Sequence, residues 1–135
     1  MAQLKPYLNF HGKCKEAMNF YKEIFGGELS IMLAGDSPVA DQMPPQYHSG
    51  VLHSSLKTAD FEIMATDMTP DQPVEGNTVH LCLVCKTEKE TRQLFEKLSA
   101  GGKVFQPLNE MWFGWIGTLA DKFGKYWMLE CDKQQ

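Results

Sequence analysis

The hydrophobic positions in the first half of the chain change from alternation to helical spacing and back again. Residues 4–10 alternate between apolar and polar types, which is typical of a β-strand. Apolar residues at helical spacing follow from Cys14 to Phe25, and Gly26-Gly27 is a common helix C-cap. Three strand-like runs come next, at residues 29–33, 50–56 and 61–66. We therefore predict the order βαβββ for this half.

The second half repeats this order. Residues 79–85 are strand-like, and Thr87-Glu88-Lys89-Glu90 has the residue types of a capping box that opens a helix. Gly101-Gly102 ends that helix, and three strand-like runs follow at residues 103–108, 112–119 and 126–131. The sequence therefore predicts an α+β fold. We expect one domain of two tandem modules, residues 1–67 and 78–135, with a linker at 68–77.

Composition and charge narrow the classes of partner. The chain has 135 residues, of which 43% are hydrophobic and 22% are charged, as in an ordinary globular protein. Its formal net charge of −4 argues against nucleic acid or an anionic membrane as the main partner, since both need a basic surface. No apolar stretch is long enough to span a bilayer, and no apolar leader is seen at the N-terminus. We expect a cytoplasmic protein.

Two cysteines have the spacing of a metal knuckle or a redox pair. Cys82 and Cys85 are three residues apart, but they lie in a run that is predicted to be a strand. Residues three apart on a strand point to opposite faces, so these two thiols are not expected to bind one zinc ion. We interpret them as reduced thiols that fill space, which fits a cytoplasmic location.

The two ends of the chain carry motifs that resemble those of a known family. Pro6-Tyr7-Leu8-Asn9-Phe10 and the following residues 12–21 are similar to the opening of PhnB-like proteins. Trp112-Phe113-Gly114 and residues 121–129 are similar to the same branch. PhnB-like proteins belong to the vicinal oxygen chelate superfamily, with glyoxalase I, bleomycin-resistance proteins and extradiol dioxygenases. The resemblance covers nearly the whole chain.

The resemblance implies a fold and an assembly but leaves the reaction open. It implies curved mixed sheets that form a cleft, and a homodimer in which the modules of two chains complete each cleft. The superfamily includes isomerases, dioxygenases, thiol transferases and drug binders, so the fold does not select a function. Some PhnB-like relatives carry a ubiquinone-methyltransferase label. We discount that label because no glycine-rich loop between a strand and a helix is present to cradle a nucleotide-like cofactor.

The resemblance also indicates where a metal would be bound. Metal-dependent superfamily members place one ligand on the first strand and one on the last strand of each module. The corresponding residues here are Pro6 and Met64 in the first module, and His80 and Met128 in the second. Proline has no donor atom and a thioether is a poor ligand for Ni²⁺, Zn²⁺, Mn²⁺ or Fe²⁺, so only His80 could coordinate. We therefore predict no metal site and no cofactor; any cofactor that binds should be one divalent ion.

A second histidine is expected to share the face of Met64. If Leu56 pairs with Phe61 across the turn between their strands, His53 lies directly opposite Met64. A Met64 that faces the cleft would then bring His53 to the same cleft.

Glu130 adds a carboxylate on the other module. It is two residues from Met128 on one strand, so the two side chains share a face. His53, His80 and Glu130 could form a non-standard metal set, or an acid–base pair with a carboxylate that orients one imidazole. They could equally be hydrogen-bonded wall residues, or contact a ligand without any metal.

The aromatic and thioether side chains favour an apolar ligand. Trp112 and Phe113 are expected on opposite faces of a strand. Trp112 and Trp115 either pack in the core or a dimer interface, or stack on a flat ligand. Methionines at both last-strand positions would make a cleft adaptable and apolar.

Three functions remain from the sequence. The first is a PhnB-like protein that binds a small apolar or aromatic molecule, with no assigned reaction. The second is a divalent-metal lyase, isomerase or dioxygenase with the non-standard histidine and glutamate set. The third is a dimer whose cleft is closed by side chains. The residues predicted to contact a ligand are His53, Met64, His80, Trp112, Trp115, Met128 and Glu130.

Overall fold

A computed structural model describes residues 1–68 and 73–133 of the chain. The chain forms two compact units, Met1–Pro73 and Val74–Gln135. Residues 69–72 of the predicted linker lie outside the described residues. Each unit has one α-helix and one four-stranded sheet in the order βαβββ, so the predicted α+β fold class is confirmed. Within the described ranges, no helix combines the length and apolarity needed to cross a membrane.

In the first unit, one helix covers one face of a mixed sheet. Its elements are β1 (Tyr7–Asn9), α1 (Cys14–Phe25), β2 (Glu28–Leu33), β3 (Val51–Lys57) and β4 (Glu62–Thr66). The strand order is β1-β4-β3-β2, with β1 parallel to β4 and the other pairs antiparallel. Ala17, Met18 and Tyr21 of α1 are fully buried, as are Leu56 and Ala65 of the sheet. The helix is stable because this apolar stripe is removed from water.

The second unit repeats this topology. Its elements are β5 (Leu81–Cys85), α2 (Glu88–Ser99), β6 (Lys103–Met111), β7 (Gly114–Ala120) and β8 (Tyr126–Asp132), in the strand order β5-β8-β7-β6. The predicted cap of α2 is confirmed, since Thr87 Oγ1 accepts the Glu90 N–H at 3.1 Å. Phe95 and Leu98 of α2 are buried, as are Trp127 and Leu129 of β8.

Two sequence predictions about local structure are wrong. The expected pairing of Leu56 with Phe61 is shifted by two residues, because Leu56 pairs with Ile63. Phe61 belongs to the turn, where its N–H and the Asp60 N–H bond to Thr58 Oγ1. The prediction that Trp112 and Phe113 lie in a strand also fails.

The residues at 112 and 113 form the turn between β6 and β7, and β7 begins at Gly114. Gly114 has a φ of +143°, and a Cβ there would collide with the Cys131 carbonyl. A glycine at this position therefore lets the hairpin close directly against β8.

The carboxylate of Asp67 joins three segments of the first unit. Its Oδ1 accepts the N–H groups of Gly12 at 2.7 Å and Cys14 at 2.9 Å, and its Oδ2 accepts the Val51 N–H at 2.9 Å. Asp67 directly follows β4, so one side chain ties the end of β4 to the start of α1 and the start of β3. The Lys13 side chain, at the N-cap position of α1, makes no capping hydrogen bond, and the Asp67 carboxylate takes this role instead.

We predict that Asp67→Ala destabilises the protein by about 3 kcal/mol, because three backbone N–H groups lose a charged acceptor. Urea unfolding with reduced thiols measures this change. Asp60→Ala, in the exposed turn between β3 and β4, is the matched control and should change stability by less than about 0.5 kcal/mol. Equal effects of the two substitutions would show that the Asp67 contacts contribute little.

Candidate functional site

The sheet of the first unit has one face that α1 does not cover. Because side chains alternate along a strand, the burial of Ser54 and Leu56 places His53 and Ser55 on the opposite face. Met64 is the Cα partner of Ser55, so it projects from that same face, which we call the first helix-free face. The corrected register still leaves His53 on the face of Met64, because a shift of two residues preserves the alternation.

Tyr7 completes the first helix-free face. Its Cα partner in the parallel pair is Met64, and its ring stacks on the His53 imidazole with centroids 6.5 Å apart. Met32, the partner of His53 on β2, extends the face to the sheet edge. Tyr7 is 51% exposed and Met32 is 45% exposed. The face therefore offers a phenol, an imidazole and two thioethers as contact groups.

The second unit has the corresponding helix-free face. Burial of Trp127 and Leu129 against α2 places Met128 and Glu130 on the opposite side of β8. Met128 has Cys82 and Thr118 as Cα partners on its two neighbouring strands. These four residues lie on what we call the second helix-free face.

His80 lies towards one end of the second helix-free face. Its ring meets the Tyr126 ring edge to face, with centroids 5.4 Å apart. Tyr126 and Glu130 are four residues apart on β8, or about 13 Å at about 3.3 Å per residue. His80 and Glu130 therefore do not share a coordination sphere. His53 belongs to the first unit.

The two predicted tryptophans do not join Met128. Trp115 is the Cα partner of Cys131, on the side of the sheet that faces α2, and the Arg92 guanidinium lies 4.5 Å from the centre of its ring. Trp112 is 85% exposed in the turn before β7 and packs against Phe113. One tryptophan is thus a helix contact, and the other is a surface group.

The residues at the expected metal positions do not fit a divalent ion. The register pairs Tyr7, not Pro6, with Met64, and it pairs Cys82, not His80, with Met128. Thioethers and a phenol are poor ligands for Ni²⁺, Zn²⁺, Mn²⁺ or Fe²⁺, which leaves the single thiol of Cys82, and one ligand does not hold an ion. Across residues 1–68 and 73–133, no group of three His, Cys, Asp or Glu side chains is placed to hold a metal.

Tyr7 and Cys82 are the residues that sequence reasoning missed. The assignment of Pro6 to a metal position implies that Tyr7 points to the other side of the sheet, whereas the Pro6 carbonyl itself accepts the Met64 N–H at 3.0 Å. A proline cannot return that hydrogen bond, so it marks the end of the pairing and not its centre. Counting from the next residue would have identified Tyr7.

The cysteines differ in exposure and acidity. Cys82 is exposed and Cys85 is buried, which confirms that the two thiols point to opposite faces. Desolvation raises the pKa of Cys82, and the nearby Glu130 charge raises it further. Desolvation raises the pKa of the buried Cys14 thiol to about 11, with a smaller contribution from the Asp67 charge. A thiol with that pKa is almost fully protonated at neutral pH and is a poor nucleophile.

Comparison with known proteins identifies the family. The model of the 3-demethylubiquinone-9 3-methyltransferase family matches residues 2–130. The chain belongs to this family. Protein YjdN of Escherichia coli K12 is 29% identical over 98% of this chain and 97% of its own length.

Solved structures with the same fold match nearly the whole chain. Protein PA1353 from Pseudomonas aeruginosa is 33% identical, with a TM-score of 0.88 over 99% of this chain and 100% of its own. A Bacillus cereus protein described as a putative 3-demethylubiquinone-9 3-methyltransferase, PhnB protein, is 29% identical, with a TM-score of 0.76 over 96% of this chain and 99% of its own. The match to the PhnB protein agrees with the PhnB-like sequence motifs. The fold is also that of a glyoxalase-related enzyme from Fulvimarina pelagi, which is 18% identical, with a TM-score of 0.64 over 98% of this chain and 89% of its own.

The methyltransferase description raises the question of a nucleotide-like methyl donor. Phosphate-binding loops leave backbone N–H groups free at the start of a helix. Before α1, the Gly12 and Cys14 N–H groups bond to Asp67. Before α2, the Glu90 N–H bonds to Thr87, and no glycine is present at residues 86–87. Neither strand-to-helix loop of this chain therefore fits a nucleotide-like methyl donor.

We predict that Cys82 is the first thiol of the folded protein to react with a disulfide reagent such as DTNB. Its rate should increase between pH 8 and pH 9, because its raised pKa keeps the reactive thiolate scarce at pH 8. Cys82→Ser should remove the fast phase, and Cys85→Ser should leave it intact. A fast phase that survives Cys82→Ser would contradict the assignment of Cys82 to the helix-free face.

Proposed function

We propose that the chain is a small-molecule-binding protein that takes an apolar or aromatic molecule against its helix-free faces. The observation that carries this proposal is the equivalent placement of Met64 and Met128. Each methionine lies on the last strand of its unit, has a Cα partner on both neighbouring strands, and is half-buried. Unbranched thioethers adapt to ligands of different shape.

The residues directly opposite the two methionines on the neighbouring strands are uncharged. Ser55 and Tyr7 flank Met64, and Thr118 and Cys82 flank Met128. Hydroxyl groups give orientation through single hydrogen bonds but supply no strong charge. This supports a ligand with a large apolar surface over a small polar substrate.

The proposal includes binding without the metal of the superfamily, in a cytoplasmic homodimer. The thioether and phenol positions support the first part, and the superfamily resemblance supports the dimer. The metalloenzyme alternative would need His53, His80 and Glu130 to converge, and the separation of His80 from Glu130 along β8 weighs against it. No reaction is assigned.

Methionine methyl NMR tests the proposal with the neutral probe 2-naphthylmethanol. We expect the Met64 and Met128 methyl signals to shift on titration, while that of the fully buried Met18 stays unchanged. Met64→Gln or Met128→Gln should weaken the binding detected at its own face about fivefold, through the loss of about 1 kcal/mol of apolar contact. Met43→Gln, in the segment between β2 and β3, is the matched control. Shifts confined to other methionines would refute the proposed site.

A metal-binding measurement separates the two candidate functions. After dialysis against Ni²⁺ or Mn²⁺ and gel filtration, we expect clearly less than one metal ion per chain, because no suitable ligand set is formed. His53→Ala and His80→Ala should not change this amount. One retained equivalent that disappears in both variants would favour the metalloenzyme and overturn the binding proposal.

A further inference from the structure

One end of the second helix-free face carries a row of aromatic rings. Phe105 and Tyr126 are stacked with centroids 5.1 Å apart and an interplanar angle of 12°. His80 meets Tyr126 edge to face and extends the row to the other side. Phe105 lies where the register between Val104 and Gln106 shifts, and such a bulge can re-aim a side chain. The Phe105 ring remains 44% exposed.

A cation accompanies this row. The Lys103 ammonium lies 5.3 Å from the centre of the Phe105 ring. Lys103 pairs with Ala120, which in turn pairs with Tyr126, so all three lie on the second helix-free face. Lys103 is exposed, and its flexible stem lets the ammonium move within a few ångströms.

Four acidic groups of the second unit lie far along the strands from this cation or bond to other groups. Glu130 is about 13 Å from Tyr126 along β8, and Glu110 is near the opposite end of β6. Glu75 bonds to Lys125 at 2.6 Å, and Asp121 accepts the Trp127 Nε1–H at 2.8 Å. This end of the face therefore joins exposed aromatic surface to positive charge.

We propose that the Phe105–Tyr126–His80 row binds the ring of an aromatic carboxylate, whose carboxylate group is held by Lys103. The ring stacks on the exposed part of Phe105, and the ammonium turns from that ring to the carboxylate. His80, at the other end of the row, meets the Tyr126 ring edge to face and supports the stack from that side. This inference rests on the proposed function and specifies its ligand class: a flat aromatic acid and not a neutral or cationic ring.

Calorimetric titration of the full chain with 2-naphthoate and 2-naphthylmethanol tests the inference. The two probes share a ring system and differ in charge. We expect 2-naphthoate to bind about tenfold more tightly, because only the acid forms an ion pair with Lys103. Lys103→Gln should abolish this preference. Lys89→Gln, an exposed lysine on α2, is the matched control and should preserve it.

Two further variants test the aromatic part. Phe105→Leu keeps an apolar side chain but removes the flat ring, so it should weaken both probes several-fold. His80→Ala leaves Lys103 and Phe105 unchanged, so it should retain the preference for 2-naphthoate over 2-naphthylmethanol. A far-ultraviolet circular dichroism spectrum like that of the unsubstituted protein shows that each variant is folded.

The outcomes distinguish this inference from the proposed function. Equal affinity for the two probes, or an unchanged preference in Lys103→Gln, overturns the inference. If 2-naphthylmethanol shifts the Met64 or Met128 methyl signals while 2-naphthoate shows no preference, the binding function stands and the aromatic-acid class fails. If neither probe binds, both fail.

Discussion

The parallel pairing of the first strand with the last strand is the constraint on which each unit depends. It joins β1 to β4 and β5 to β8, although a helix and two strands separate each pair in the sequence. In the first unit, Asp67 secures this closure, because its carboxylate bonds to backbone N–H groups at the start of α1 and of β3. In the second unit, the buried Asp121–Trp127 hydrogen bond fixes the start of β8. The register of these pairs decides which side chains meet.

This closure sorts each sheet into two chemically different faces. On the helix side, large apolar groups such as Leu56, Leu129 and Trp127 are removed from water, and their burial drives the packing of α1 and α2. On the other side, Met64 and Met128 stand among hydroxyl, phenol, thiol and imidazole groups. These two thioethers are half-buried and lie on the side of each sheet away from the helix-packed core. The position of these two methionines is therefore the strongest support for a ligand-binding function.

The order of elements was predictable because periodicity and capping are local signals. The apolar stripe of α1, the Thr87 cap of α2 and the opposite faces of Cys82 and Cys85 follow from spacing alone. The pairing of distant strands was harder, because the register depends on how each turn closes. The Thr58 hydroxyl accepts the Phe61 N–H and keeps Phe61 in a turn. Gly114 lets the next hairpin close tightly, so β6 extends to Met111. Neither contact has a periodic signature.

An error in strand register changes the face of a side chain only when the shift is an odd number of residues, and the predicted site contained both odd and even shifts. The shift of two residues between β3 and β4 left His53 on the face of Met64, so that part of the predicted site kept its geometry. The error of one residue on β1 exchanged Pro6 for Tyr7 and thereby hid a stacking ring. Of the two alternatives left open for Trp115, packing is supported, because its pairing with Cys131 places it on the α2 side, near Arg92.

The second helix-free face also has a direction, which limits how a ligand could lie on it. Lys103 and the aromatic row occupy one end, Met128 lies between, and Glu130 lies beyond Met128 on β8. A carboxylate near Glu130 would be repelled, whereas one near Lys103 would be attracted. An aromatic acid bound on this face would therefore be oriented with its charge towards Lys103 and its apolar part towards Met128. A neutral ligand of the same shape would lack this orientation, because thioether and ring contacts are nearly the same in either direction.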